Sequence, residues 1–165
     1  MCNPLLTRRQ LLFAHAPGLL LVLAGCSGES DKGPTEVRWG KENCTYCGMI
    51  IDNPRFATQI RGGDPRKLWK FDDPGCGALW LDKKSWGNEE RTEFWVGDSE
   101  TGSWIDGRDA WFISGQKSPM GYDYGAVKQM RDGGLSFASF RQAVIASGSR
   151  TQCLPALSLV QGRTG

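Results

Sequence analysis

The spacing of apolar and polar residues in the first half of the chain predicts a hairpin followed by a helix. Residues 56–60 alternate loosely, as a half-buried strand does, and residues 67–71 are also strand-like. Turn residues at 61–65 lie between them, so the two segments predict a β-hairpin. An Asp-Asp-Pro sequence at 72–74 offers cap residues and an early proline, which predicts a helix over 75–83.

Further strands are predicted on both sides of this unit. Residues 36–39 form a short candidate edge strand ahead of it, and residues 92–96 form a strand after the helix. Residues 102–106 and 110–113 predict two short strands around the Asp-Gly turn at 106–107. The first half therefore has the order strand, strand, helix, strand.

The second half repeats this order approximately. A strand containing residues 123–126 follows a loop, and Ser136 is a good N-cap for a helix over 137–147. The apolar residues of this segment stand at 137, 140, 144 and 145, which is helical spacing. From residue 148 onward the helical spacing of apolar residues ends, and small and polar residues follow.

The N-terminal 25 residues have the three-part layout of an export signal. Arg8 and Arg9 form a basic region, and a patchy apolar stretch covers 11–22. That stretch is shorter than the roughly 18–20 residues that span a bilayer, so we predict a removable signal peptide over 1–25. The twin arginine fits either Tat or Sec export.

The Leu-Ala-Gly sequence before Cys26 resembles a bacterial lipobox, in which the cysteine thiol carries a diacylglycerol. An ordinary secretory signal is the alternative. Ser27, rather than Asp, slightly favours the outer membrane, with the protein on the periplasmic side. The remaining chain then divides into a flexible tether, a single domain and a loose tail, at 26–35, 36–148 and 149–165.

Charge and histidine content exclude several classes of function. The formal net charge is +2 and no basic face is concentrated, so nucleic acid is not an expected partner. The lone histidine, His15, lies in the predicted signal. Without imidazole, Ser-His-Asp and Cys-His catalysis and the Cys/His zinc sites are excluded. Four cysteines remain after lipidation: Cys44, Cys47, Cys76 and Cys153.

Sulfur ligands are concentrated at one point of the chain. The six positions from Cys44 to Met49 hold two thiols and a thioether, with Cys47 as the second thiol, and Cys76 and Met120 follow later. Thiolates and thioethers are the ligands that Cu(I) prefers. Two or three sulfurs on a loop, with a position left open for a partner's ligand, could hold the ion and release it. These sulfurs are therefore candidate ligands for a soft metal, above all Cu(I).

Other interpretations of the same sulfurs stay open. Cys44 and Cys47 can form a disulfide in an oxidising compartment, and Cys76 can bridge to either of them. Met49 precedes two isoleucines and suits a core position, and Met120 could also be a core residue.

Two further sites are less well supported. A thioredoxin-like site needs the cysteine pair at a helix N-terminus, which Gly48 and the β-rich residues 49–51 disfavour. A four-thiolate site would have to recruit Cys153 from the tail.

Asp72 and Asp73 are adjacent carboxylates, but a catalytic acid–base role is disfavoured for them. Helix capping explains both residues, and adjacent residues of an extended chain point in opposite directions.

Four motifs in order resemble the NosL family, the lipoprotein accessory factors of nitrous oxide reductase that deliver Cu(I). The resemblance covers roughly residues 37–147, and the lipobox agrees with it. The motifs are Cys44-Xaa-Tyr-Cys47-Gly48-Met49, Ile51-Asp52, Phe71-Asp72-Asp73-Xaa-Gly-Cys76 and Pro119-Met120-Gly121.

The resemblance implies an α+β fold with two small ββαβ-type units side by side in one compact domain, which is similar to the order of elements predicted above. It also implies a copper chaperone rather than an enzyme, with Cys44, Cys47, Met49, Cys76 and Met120 as ligand positions. Family members vary in which cysteines they keep. The implied partner is a copper-receiving enzyme, nitrous oxide reductase above all, or its maturation complex. The competing hypothesis is a lipid-anchored thiol–disulfide oxidoreductase that uses Cys44 and Cys47.

Overall fold

A computed structural model describes residues 31–151 as six strands and two helices. The predicted signal peptide, the lipidation site Cys26 and the tail cysteine Cys153 lie outside the described residues. The elements are β1 (Thr58–Gly62), β2 (Lys67–Phe71), α1 (Pro74–Asp82), β3 (Glu93–Gly97), β4 (Trp104–Asp106), β5 (Trp111–Ser114), β6 (Tyr124–Val127) and α2 (Phe137–Thr151).

Four of these strands form an antiparallel sheet in the order β2-β1-β3-β4, and β5 pairs with β6 in a second sheet. The predicted hairpin is confirmed as β1 and β2, with Thr58 opposite Phe71. Helix α1 follows β2 directly, so the first unit has the predicted order strand, strand, helix, strand. The predicted α+β class and the single compact domain are confirmed.

The second unit differs from the first in its pairing. Strand β4 pairs with β3 instead of β5, so the predicted Asp-Gly turn at 106–107 does not close a hairpin. Instead the Gly107 N–H donates to the carbonyl of Phe94 in β3 at 2.6 Å, which ties the turn to the first sheet. No strand follows α2 within residues 31–151.

Both helices pack against the sheets through close contacts. A Cβ at Gly77 of α1 would lie 2.9 Å from the Thr58 side chain, so glycine lets the helix approach β1. In α2, the Phe140 ring stacks on Phe112 of β5 with 3.8 Å between centroids. Both rings are fully buried. Neither helix in the described part of the chain combines the length and the apolar character needed to cross a bilayer.

The segment before the cysteines is not the edge strand that the sequence predicts. The Arg38 N–H donates to the Glu42 side chain, and the Trp39 N–H to the carbonyl of Val37, so these donors are not available for a ladder. The end of the predicted tether is held to the domain. The fully buried Gln59 side chain accepts from the Thr35 N–H at 2.9 Å and donates to the Thr35 carbonyl at 2.7 Å.

Candidate metal centre

Cys44 and Cys47 lie on a tight loop that is closed by its own backbone. The Cys44 N–H donates to the carbonyl of Met49 at 2.7 Å, and the Gly48 N–H donates to the carbonyl of Cys44 at 3.0 Å. Gly48 has a φ of 79°, in the left-handed region that glycine tolerates without strain. The segment is a turn and not a helix N-terminus. The local geometry that a thioredoxin-like pair requires is therefore absent here.

One long-range hydrogen bond fixes this loop beside the end of β2. The Thr45 N–H donates to the carbonyl of Lys70 at 2.9 Å. Lys70 is two residues before Asp72, which lies between the end of β2 and the start of α1. The cysteine loop is therefore placed next to the strand-to-helix junction that carries Asp72 and Cys76.

The two adjacent aspartates at this junction have different roles. Asp73 is the N-cap of α1, and its Oδ1 accepts from the Gly75 N–H at 2.7 Å, which confirms the predicted cap. Asp72 instead faces the cysteine loop, and its Oδ1 accepts from the Cys47 S–H at 3.3 Å. Cys76 lies in the first turn of α1, as predicted.

These contacts bring four donor groups together: Cys44, Cys47, Asp72 and Cys76. One ligand atom from each lies within 4.8 Å of all the others. Cys44, Cys76 and Asp72 are buried, whereas Cys47 is half-buried and gives access from the surface. The three thiols are free, so none of the disulfides considered from the sequence is present among them. A cluster of three thiols and a carboxylate fits copper binding.

The protonation of the cluster is uneven. A hydrogen bond from Cys76 lowers the pKa of the Cys44 thiol well below its ordinary value, which favours the thiolate form of Cys44. The same hydrogen bond raises the pKa of Cys76 far above its ordinary value. Burial raises the pKa of Cys47 to about 12 and that of Asp72 to about 6. An incoming cation would therefore meet one thiolate and displace protons from the other thiols.

The two predicted thioether ligands lie at the surface. Met49 is 57% exposed and Met120 is 37% exposed, so the core interpretation is wrong for both residues. Met49 belongs to the cysteine loop. Their coordination of a metal stays a prediction, because exposure alone does not make a ligand.

Met120 belongs to a loop, residues 118–123, that packs on the N-terminus of α1. We name this segment the Met120 loop. The Met120 N–H donates to Oδ2 of Asp73 at 3.0 Å. The Tyr122 ring lies so close to Gly75 that a Cβ there would collide with it. The loop is thus anchored to residues that immediately precede Cys76.

Asp72 is the site residue that sequence reasoning missed. Helix capping explained both aspartates, although only Asp73 caps the helix. A signal was available, because consecutive residues of an extended segment point in opposite directions. If Asp73 turns towards the helix, Asp72 turns away from it, towards whatever packs on the end of β2.

Comparisons with known proteins returned a distant structural neighbour. No family model and no curated protein matches the chain. Among solved structures, the copper chaperone NosL from Shewanella denitrificans matches at 19% identity with a TM-score of 0.46. The match covers 69% of this chain and 87% of the other. The neighbour is a NosL protein, which is the family that the sequence motifs resemble.

Proposed function

We propose that this chain binds one Cu(I) ion through Cys44, Cys47 and Cys76, passes it to a copper enzyme and catalyses nothing itself. The observation that carries the proposal is the convergence of three free thiols within 4.8 Å of one another. Soft thiolates are the ligands that Cu(I) prefers, and Cu(I) accepts few of them. Two buried thiols can retain the ion, while the half-buried Cys47 can exchange it.

Transfer to a partner requires ligands that the partner can reach. Met49 and Met120 are exposed thioethers, one on the cysteine loop and one on the Met120 loop beside α1. A thioether binds without losing a proton, so it can take up or release Cu(I) without a protonation step. We assign both methionines to the entry and exit of the ion.

The chain is proposed to work at a membrane surface, attached through a lipid on Cys26 after removal of residues 1–25. The resemblance to the NosL family supports a periplasmic location and nitrous oxide reductase, or its maturation complex, as recipient. Gly33 is already hydrogen bonded to the Glu93 side chain at 2.8 Å. Gly33 is seven positions after Cys26, a reach of at most roughly 25 Å. Such a tether would keep the domain close to the bilayer.

The geometry favours metal binding over thiol–disulfide exchange. An attacking thiol has to be both a thiolate and accessible. Here Cys44 has the lowered pKa but is only 3% exposed, and the more accessible Cys47 has a raised pKa. The two properties that a redox nucleophile must combine are divided between two residues.

Anaerobic titration with Cu(I) against a chromophoric competitor tests the proposal. We expect wild type to take one equivalent from the competitor. Cys44→Ser, Cys47→Ser and Cys76→Ser should each weaken binding by at least about tenfold, or about 1.4 kcal/mol. Cys153→Ser serves as the matched cysteine variant, and we expect it to bind Cu(I) as wild type does. A wild-type protein that cannot compete would refute the function, and three serine variants with wild-type affinity would refute the site.

The methionines need their own control. Met120→Ala should slow transfer of Cu(I) from the loaded protein to the competitor. Met130 is 68% exposed, so Met130→Ala removes a thioether elsewhere on the surface that is more accessible than that of Met120. Equal transfer rates for the two variants would remove Met120 from the pathway.

A further inference from the structure

The β4 edge of the first sheet carries a cavity that the copper function leaves without a role. The cavity has a volume of about 380 Å³, and its lining extends from strands β3 and β4 to the residue directly after β6. Its lining includes two tryptophans and three charged residues: Trp95, Trp104, Asp106, Asp109 and Lys128. Pockets for small ligands have this size and this combination of apolar walls with a few polar groups.

The two tryptophans of this cavity lie on one face of the sheet and have no ring partner. Trp95 is opposite Asp106 across β3 and β4, and Trp104, two residues before Asp106, shares that face. Among the described residues neither indole makes a ring–ring or cation–π contact, whereas Trp69 and Trp86 stack on each other. Both indoles are therefore available to a ligand. Tryptophan is the aromatic side chain that attracts cations most strongly.

The charged groups of the cavity are not neutralised within the protein. Asp106, Asp109 and Lys128 form no ion pair in the part of the chain that the structure describes, although all three line one cavity. The Asp106 carboxylate accepts a hydrogen bond from the Arg108 N–H at 2.9 Å, which leaves its charge unpaired. The positive and negative groups are thus kept apart. A ligand with one group of each sign would pair with both.

We propose that this cavity binds the head group of a zwitterionic phospholipid. The ammonium group lies against the two indoles and the carboxylates of Asp106 and Asp109, because both attract a cation. The phosphate lies at Lys128, whose ammonium group donates charge-assisted hydrogen bonds to phosphate oxygens. Tryptophan also suits the membrane–water interface, where its ring lies at the level of the head groups.

The start of the domain lies beside the same cavity, which favours a lipid over a free zwitterion. Oε2 of Glu93 accepts from the Trp95 indole N–H at 2.8 Å and from the Gly33 N–H at 2.8 Å. Gly33 leads back to Cys26, the predicted lipidation site. A membrane that holds the chain through Cys26 would bring its head groups to this side of the domain. The choice of a lipid rests on the proposed attachment, whereas the ligand chemistry is independent of it and of copper.

Soluble ligands test the cavity without a membrane. Full-length chain carrying Cys26→Ser, which cannot be lipidated, is titrated with phosphocholine, phosphoethanolamine, choline and inorganic phosphate. The indole N–H signals of Trp95 and Trp104 report binding by NMR. Both zwitterions should bind at least about tenfold more tightly than choline or phosphate alone. Lys128→Gln should weaken phosphocholine about tenfold and change choline by less than about twofold, and Asp109→Asn should weaken both ligands.

The variants keep the fold intact and have a matched control. Lys128 and Asp109 are exposed, so their replacement disturbs no core contact. Lys117→Gln, at an exposed lysine outside the cavity, should bind phosphocholine as the parent chain does. No shift with any of the four ligands, or unchanged phosphocholine affinity in Lys128→Gln, would overturn the proposal. These titrations contain no copper, so their failure leaves the Cu(I) site untouched.

Vesicle sedimentation of the same unlipidated chains identifies the source of the zwitterion. Asp109→Asn should bind phosphatidylcholine vesicles less than the parent chain does, because it loses a partner of the ammonium group. It should bind phosphatidylglycerol vesicles at least as well, since that lipid has no ammonium group and the variant has lost a negative charge. Residues 1–25 are the same in both proteins, so their contribution to vesicle binding cancels. Equal binding of both proteins to phosphatidylcholine vesicles would refute the lipid, even if free phosphocholine binds.

Discussion

Replacing Asp73 with asparagine should detach the Met120 loop from α1 while leaving the helix cap in place. In wild type the two carboxylate oxygens have separate partners, the Gly75 N–H at 2.7 Å and the Met120 N–H at 3.0 Å. Asparagine is as good an N-cap as aspartate and keeps an oxygen for Gly75. Its amide NH₂ replaces the second oxygen and cannot accept from Met120.

The expected loss of stability follows from these two effects. A hydrogen bond to a charged group contributes about 1.5–3 kcal/mol. Burial raises the pKa of Asp73, so the buried charge is itself unfavourable, and a neutral amide removes part of that cost. We therefore expect a net destabilisation of about 1–2 kcal/mol. For a urea m-value of about 1–3 kcal/mol/M, the unfolding midpoint should fall by about 1 M.

Urea unfolding of metal-free wild type, Asp73→Asn and Asp73→Ala measures this effect. The alanine variant also loses the cap, so it should be less stable than Asp73→Asn by about a further 1 kcal/mol. Amide hydrogen exchange at Met120 should accelerate in both variants, because its N–H loses its acceptor. If Asp73→Asn keeps the wild-type midpoint and the wild-type exchange rate at Met120, Asp73 does not anchor the loop.

Two other variants test the surroundings of the site. Gly75→Ala should destabilise the domain by about 1–3 kcal/mol in urea unfolding, because the new Cβ collides with the Tyr122 ring. Combining it with Tyr122→Ala should relieve most of that collision, and simple additivity of the two changes would contradict the contact. Asp72→Asn should become more stable relative to wild type as pH rises. Burial raises the pKa of Asp72 from 3.8 to about 6, so the stability that its proton contributes is complete below about pH 4 and is lost as pH rises through about 6. In urea unfolding with a chelator present, the free energy of unfolding of Asp72→Asn minus that of wild type should rise by on the order of 2–3 kcal/mol from pH 4 to pH 7. A difference that does not change with pH would refute this prediction.

Elements with local signals could be predicted from the sequence. The hairpin of β1 and β2 has turn residues between two strand-like segments, and α1 has a cap followed by proline, so neighbouring residues determined both. The partner of β4 could not be predicted in this way. The Asp-Gly turn at 106–107 has the local signal of a hairpin, but contacts with Phe94, more than ten residues earlier, decide the pairing.

The site shows the same division between local and long-range information. Cys44, Cys47 and Met49 are close in sequence and could be identified as a group. Cys76 and Asp72 lie beside this group because of the hydrogen bond from the Thr45 N–H to the Lys70 carbonyl, which joins segments 25 residues apart. Asp72 was overlooked because the capping role of its neighbour gave a sufficient local reason for both carboxylates. The exposure of Met49 and Met120 also depends on tertiary packing, which the apolar residues beside Met49 did not reveal.

Copper X-ray absorption of the Cu(I)-loaded chain tests most directly whether Cys44, Cys47 and Cys76 hold the metal together. We expect a first shell made only of sulfur, and we expect Cys76→Ser to lose one sulfur from that shell while Cys153→Ser keeps it intact. A sulfur count that Cys76→Ser leaves unchanged, or a shell dominated by oxygen and nitrogen, would contradict a site in which the loop and the helix bind one Cu(I) ion.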